Sequence, residues 1–158
     1  MTNPVPIRTQ IDQGIIACVA TIPDLTHAGT TAPSIFFNPA RTVQDSEPKP
    51  YGLILTEAER FKKENLYEQR KFLAEISVWA EADDDSTLYS LLVYYMALIE
   101  AAIVPAGSLL RKTPIIEVEP TGIAMDTLFY ETGKGVGVSQ YEITYRTAYG
   151  NPFATVPS

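Results

Sequence analysis

Lys71-Phe72-Leu73-Ala74-Glu75-Ile76-Ser77-Val78-Trp79-Ala80-Glu81 decides the fold. Phe72, Ala74, Ile76, Val78 and Ala80 fall on one side of an extended chain, and Lys71, Leu73, Glu75, Ser77 and Trp79 fall on the other. That two-residue period predicts a half-buried strand over 69–81 with the first set facing a core. Next, Asp83-Asp84-Asp85-Ser86-Thr87 puts short polar and acidic side chains where a helix exposes its first N–H groups. Leu88, Leu91, Leu92, Tyr95, Met96, Ile99, Ala102 and Ile103 then recur at three- and four-residue steps. The spacing predicts a helix that ends near Val104, before Pro105 and Gly107.

Working outward, Ile7, Ile11, Ile15, Cys18, Val19 and Ile22 mark a second amphipathic helix, opened by Pro6 and stopped by Pro23. Gly14 weakens its middle by up to about 1 kcal/mol relative to Ala, so tertiary packing has to hold it. Residues 21–50 read as a long loop, rich in Pro, with one apolar island, Ile35-Phe36-Phe37. A short strand is expected over 51–56. Thr56-Glu57-Ala58-Glu59 has capping-box spacing, so either a turn or a short helix interrupts the hairpin that would follow. Further strands are expected over 114–119, 123–131 and 136–148, with turns at Gly122 and at Gly133-Lys134-Gly135. Residues 149–158 read as a flexible tail. The expected fold is α+β: one domain over 1–148, with an antiparallel or mixed sheet, two main helices on one of its faces and the other face free.

Composition narrows the function. A chain of 158 residues with net charge -7 argues against holding a phosphate backbone, which requires clustered Lys and Arg. Cys18 is the only cysteine, which excludes an internal disulfide and a multi-cysteine zinc site and suits a reducing compartment. No signal-peptide pattern opens the sequence, and no apolar run is expected to span a membrane, so synthesis in the cytoplasm is expected.

The chemically suggestive residues have plainer readings. Asp83, Asp84 and Asp85 are spaced to cap a helix rather than to surround a metal. Gly133-Lys134-Gly135-Val136-Gly137 lacks the spacing of a phosphate loop and reads as a hairpin turn. His27 is the sole histidine and lies in the polar loop, so a triad would have to be built around it; Cys18 reads as a core thiol. Among Tyr141, Tyr145, Tyr149, Trp79, Tyr94 and Tyr95, most are expected in the core and a minority at a partner surface. No catalytic residue, cofactor or metal is expected.

The helix 7–22, the strand Phe72-Leu73-Ala74-Glu75-Ile76-Ser77-Val78-Trp79-Ala80, the acidic turn and helix 83–103, and the closing segment 115–148 ending in Tyr141-Glu142-Ile143-Thr144-Tyr145-Arg146-Thr147 occur in that order. In this the chain resembles the tail terminator (tail-completion, or minor tail) proteins of long-tailed bacteriophages. The resemblance implies a structural virion protein: a homohexameric ring that binds the end of the tail tube, stops its polymerisation and gives the head a surface to join. Its partners would be its own copies, the tail tube protein and a head-tail connector protein, with DNA passing through without specific binding and no membrane. It would reside in the virion tail, and in the host cytoplasm during assembly. Residues 21–50 and 51–70 become candidate contacts. Phe36, Phe37, Tyr67 and Arg70 are the chosen interface residues, as apolar or Arg side chains in or beside loops. The alternatives are another head-tail connector or neck protein, and an α+β small-ligand or nucleotide-processing enzyme using His27 or grouped carboxylates.

Overall fold

A strand with one wholly apolar face needs helices to cover that face and neighbours to satisfy its backbone N–H and C=O groups. The computed structural model supplies both, and it describes residues 3–22, 25, 35–43, 49–105, 107, 109–126 and 133–155. In chain order the elements are α1 (Ile7–Ala20), β1 (Ile35–Phe37), β2 (Tyr51–Thr56), β3 (Arg60–Glu64), β4 (Tyr67–Glu81), α2 (Asp85–Ile103), α3 (Leu109–Lys112), β5 (Ile115–Asp126) and β6 (Lys134–Ala148). The six strands form one mixed sheet in the order β1-β2-β4-β6-β5, with β3 also paired to β4. Among the described strands only the β1–β2 pairing is parallel. The fold is thus α+β with two main helices, as the periodicities indicate.

β4 is the axis of the sheet. Along one edge it pairs with β6 over its whole length, Tyr67↔Ala148 to Glu81↔Lys134. Along the other edge β2 takes residues 74–79 and β3 takes residues 67–71. The ambiguous stretch after Thr56 is therefore not a helix. It is a break between two collinear strands, bridged where the Glu57 N–H donates to the Leu73 carbonyl at 2.9 Å. Asn65, at φ 52, turns β3 into β4, a left-handed conformation that Asn tolerates better than most residues.

Phe72, Ala74, Ile76, Val78 and Ala80 are buried, as expected, and meet the buried stripes of α1 and α2 in one core. Cys18 lies in that core. Asp84 caps α2: its carboxylate accepts from the Thr87 N–H at 2.8 Å and from the Thr87 hydroxyl at 2.7 Å. Those bonds, the hydroxyl's first, hold the Asp84 carboxyl below the usual carboxylate range.

Several boundaries differ from the sequence reading. Ile35–Phe37 is an edge strand rather than an island in a loop. Asn38 secures its end through the Thr56 N–H and hydroxyl, at 2.9 and 2.8 Å. Gly122 does not turn the chain. β5 runs through it with a register shift at Pro120/Gly122, a bulge that an edge strand accommodates with its proline. Gly133, at φ 72, does turn the chain, but Lys134 and Gly135 already belong to β6. The segment after Ala148, read as a tail, is tied down as far as Ala154: the Ile7 N–H donates to the Pro152 carbonyl at 3.0 Å and the Tyr149 N–H to the Leu66 carbonyl at 3.1 Å. The expected strand end at 127–131 and His27 lie outside the described residues.

Gly14 has a packing reason. A methyl there would collide with Thr113 Cγ2 and come within 3.2 Å of Leu109 Cδ1, where the end of α3 presses on α1. Gly14→Ala is therefore expected to destabilise the protein by about 1–2 kcal/mol, overpacking outweighing the gain of about 1 kcal/mol in helix propensity. A urea-denaturation midpoint at or above that of the wild type would show that α3 yields freely.

Candidate interaction surfaces

Side chains on successive strand residues point to opposite faces, so register alone sorts the functional candidates. Phe37 is opposite Ile54 and packs against the core, whereas Phe36 is opposite Leu53 on the other face of the sheet. There Phe36 meets the Tyr51 ring edge-on at 5.8 Å, and Tyr51 stacks on Trp79 at 6.0 Å. Tyr67 and Arg70 lie toward the far end of β4. Arg70 is seven residues along β4 from Ser77, the partner of Leu53, or roughly 23 Å at the strand rise. The four residues do not form one site.

Arg70 lies in a half-buried polar network at the mouth of the core. Its guanidinium reaches Glu68 at 2.8 Å, Glu59 at 3.3 Å and the Thr147 hydroxyl at 3.1 Å, and it covers the Phe61 ring at 4.5 Å. Arg8, from the first turn of α1, reaches the same Glu59 at 3.0 Å and Asp12 at 2.9 Å while lying over the Phe72 ring at 3.5 Å. The Tyr145 hydroxyl also donates to Glu59. Glu59 thus joins α1, β4 and β6, with 12% of its side chain exposed. Burial, and then the Glu59 carboxylate, push the Tyr145 phenol far above its ordinary value. Burial works against the Arg70 charge, but Glu68, Tyr145 and Glu59 outweigh it and its pKa is raised. Burial pushes the Asp12 carboxyl up despite Arg8. Arg70 is thereby occupied within its own chain. Tyr67 is engaged too, its hydroxyl donating to Glu64 at 2.6 Å under the Arg146 guanidinium.

Beside this network β3 carries surfaces that the sequence reading did not single out. Phe61 is 62% exposed, and Leu66, at the hairpin turn, is 86% exposed. Arg60, Lys62, Gln69, Lys71 and Glu142 with Phe61 line a shallow open pocket of about 320 Å³. The available signals were Asn65 at a two-residue turn and Phe61 set among the cations Arg60, Lys62 and Lys63 before it.

α2 carries a second such surface. Its row Asp85, Tyr89, Val93, Ala97 and Ala101, with Tyr94 beside it, faces away from the core and is exposed. Asp85 and Glu100 are the helix's only charged residues. An 18-residue window reaches a mean hydropathy of 1.4, which by length and composition suffices to cross a membrane, contrary to the expectation that no run would; a third of that window is buried. A helix apolar on its outer face as well as its inner one signals a further contact. The scarcity of charge over 85–103 was that signal.

Of the aromatic set, Tyr95, Tyr141 and Tyr145 are buried, while Tyr94 and Tyr149 are exposed. Among the described residues no three His, Cys, Asp or Glu side chains group as metal ligands. Neither a protein-family model nor a curated protein matches the chain.

Glu59→Ala would leave two guanidinium groups and a phenol without their shared acceptor, and is expected to lower stability by about 2–3 kcal/mol. Arg70→Ala should also destabilise the monomer. The Tyr145 pKa is raised above its ordinary 10.0 in the folded chain, so its contribution is full below pH 10 and falls away as pH rises toward the folded pKa. Tyr145→Phe should flatten that alkaline loss in denaturant titrations between pH 9 and 11; equal alkaline slopes for both proteins would separate Tyr145 from the network.

Proposed function

We propose that this chain is a structural virion protein of the tail-terminator type, which forms a ring on the end of a tail tube, stops tube growth and presents a surface for joining the head. The single observation that carries this reading is the amount of apolar surface left uncovered in separate places. Phe61 and Leu66 stand out on the hairpin, and Tyr89, Val93 and Tyr94 on α2. Separate sticky patches suit a subunit with neighbours on several sides, because a ring member needs two different lateral contacts and a terminator needs a further contact with the tube. The sequence resemblance in element order points the same way.

The work assigned to the protein is interface free energy. A terminator matches the last tube ring on one surface and offers a different surface beyond it, so polymerisation has no repeat to continue. The net charge of -7 suits a channel through which DNA passes without being held.

Electron microscopy of the purified protein, alone and mixed with tail tubes, tests the proposal. Rings or capped tube ends of fixed length are expected. Monomers that leave tubes uncapped and growing would rule it out, and rings that bind portal or connector assemblies but ignore tubes would move the protein to the neck.

A further inference from the structure

The exposed apolar patches on the hairpin and on α2 carry opposite charge. Segment 60–71 holds Arg60, Lys62, Lys63, Arg70 and Lys71 against Glu64 and Glu68, in a chain that is otherwise strongly acidic. Arg70 is taken up by Glu59 and Glu68, and Arg60 and Lys71 share Glu142, so Lys62 and Lys63 are the cations the hairpin presents outward. Lys62 and Lys63 flank the exposed Phe61–Leu66 hairpin. Lys62 meets Glu64 at 3.3 Å and Lys63 covers the Tyr149 ring at 4.2 Å, both at the surface, where such contacts contribute little. At the other end of β4, segment 81–85 holds Glu81, Asp83, Asp84 and Asp85 with no Lys or Arg; Lys134 stands opposite Glu81. Asp85 begins the exposed row that continues through Tyr89 and Val93, so the acidic corner runs directly into the apolar face of α2.

These poles cannot neutralise each other within one chain. Lys71 and Glu81 are ten residues apart on an extended strand, or about 33 Å, several times the screening length of about 8 Å at physiological ionic strength. Two like poles repel, which disfavours a symmetric pairing of hairpin with hairpin or helix with helix. A second copy does supply the complement, with cations beside an apolar tip meeting carboxylates beside an apolar helix.

We propose that the occupant of the outer face of α2 is the β3–β4 hairpin of a second copy, in a head-to-tail contact made along the outer edge of β3: Phe61 and Leu66 seat against Tyr89, Val93 and Tyr94 while Lys63, on the Phe61 side of the strand, and Lys62, reaching round the edge from the other side, face Asp83 and Asp85. This rests on the ring reading and deepens it by naming the lateral contact. Each subunit gives a hairpin to one neighbour and receives one from the other, so the contact repeats around a closed ring. The apolar part supplies affinity; the charges set direction and exclude the reverse pairing.

Charge reversal tests it, and spares the Asp84 cap. Lys62→Glu with Lys63→Glu makes hairpin and helix both acidic; Asp83→Lys with Asp85→Lys makes both basic. Each variant alone is expected to associate about tenfold or more weakly than the wild type in sedimentation velocity. Mixed in equal amounts they should regain oligomers, since every hairpin then meets an oppositely charged helix in alternating order. Val93→Ser should weaken assembly without being rescued by either charge variant, and circular dichroism verifies that each protein is folded.

Rings from the wild type and from both folded charge variants would overturn the hairpin-to-helix contact while leaving the ring reading in place. So would a mixture that stays monomeric beside an assembling wild type. If the variants form rings that no longer cap tubes, the helix face belongs to the tube protein and the proposal falls. A wild type that is monomeric alone and on tube ends removes the ring reading and this contact together.

Discussion

The burial of one face of β4 is the constraint on which the rest of the molecule depends. That strand shares backbone hydrogen bonds with β2, β3 and β6, and its inward residues are the floor on which α1 and α2 rest. Because side chains alternate strictly, a one-residue slip against β6 would turn Phe72, Ile76 and Val78 to the open face and bring Lys71 and Glu75 into the core. The register Ile76↔Ser139 and Val78↔Gly137 is therefore held by the helices as much as by the ladder. Gly137 shows how closely α2 crosses, since a Cβ there would come within 3.1 Å of Met96.

Covering one face of a sheet leaves the remainder of the structure lopsided. The inner stripe of α2 goes to the core, yet the helix has too few charges to make its outer side a solvated surface. The hairpin extends β4 beyond the layer that the helices cover, and Phe61 there has the Arg70 guanidinium over its ring. Folding thus leaves apolar area exposed on the hairpin that opens β4 and on the helix that follows it. The same geometry separates charge, because cations lie where the strand starts and carboxylates where it ends.

Between these surfaces, Glu59 links helix to sheet. Each of its three partners is itself packed on something apolar or hydrogen-bonded elsewhere, so removing the carboxylate would strand charge in a half-dry place. This is why Arg70, a reasonable interface candidate by residue type, is better described as part of the folded unit. Residue type and proximity to a loop do not distinguish an Arg awaiting a partner from one already surrounded by acceptors.

What the sequence by itself determined was local and periodic. The inward set of β4, the cap and buried stripe of α2, the stripe of α1 and the α+β class all follow from spacing, because the chain's own helical or extended geometry turns spacing into a face. Only the tertiary structure decided what depends on distant pairing. β1 is a strand because β2 offers it an edge, β3 continues β2 because Leu73 accepts from Glu57, and Gly122 is a bulge because β6 holds the strand on both sides of it. The segment after Ala148 is tied to α1 through Ile7, almost the whole chain away in sequence. The candidate surfaces divide in the same way. The apolar excess of α2 could be counted from its residues, but its exposure, and its distance from a basic hairpin, arise from long-range pairing that no local pattern encodes.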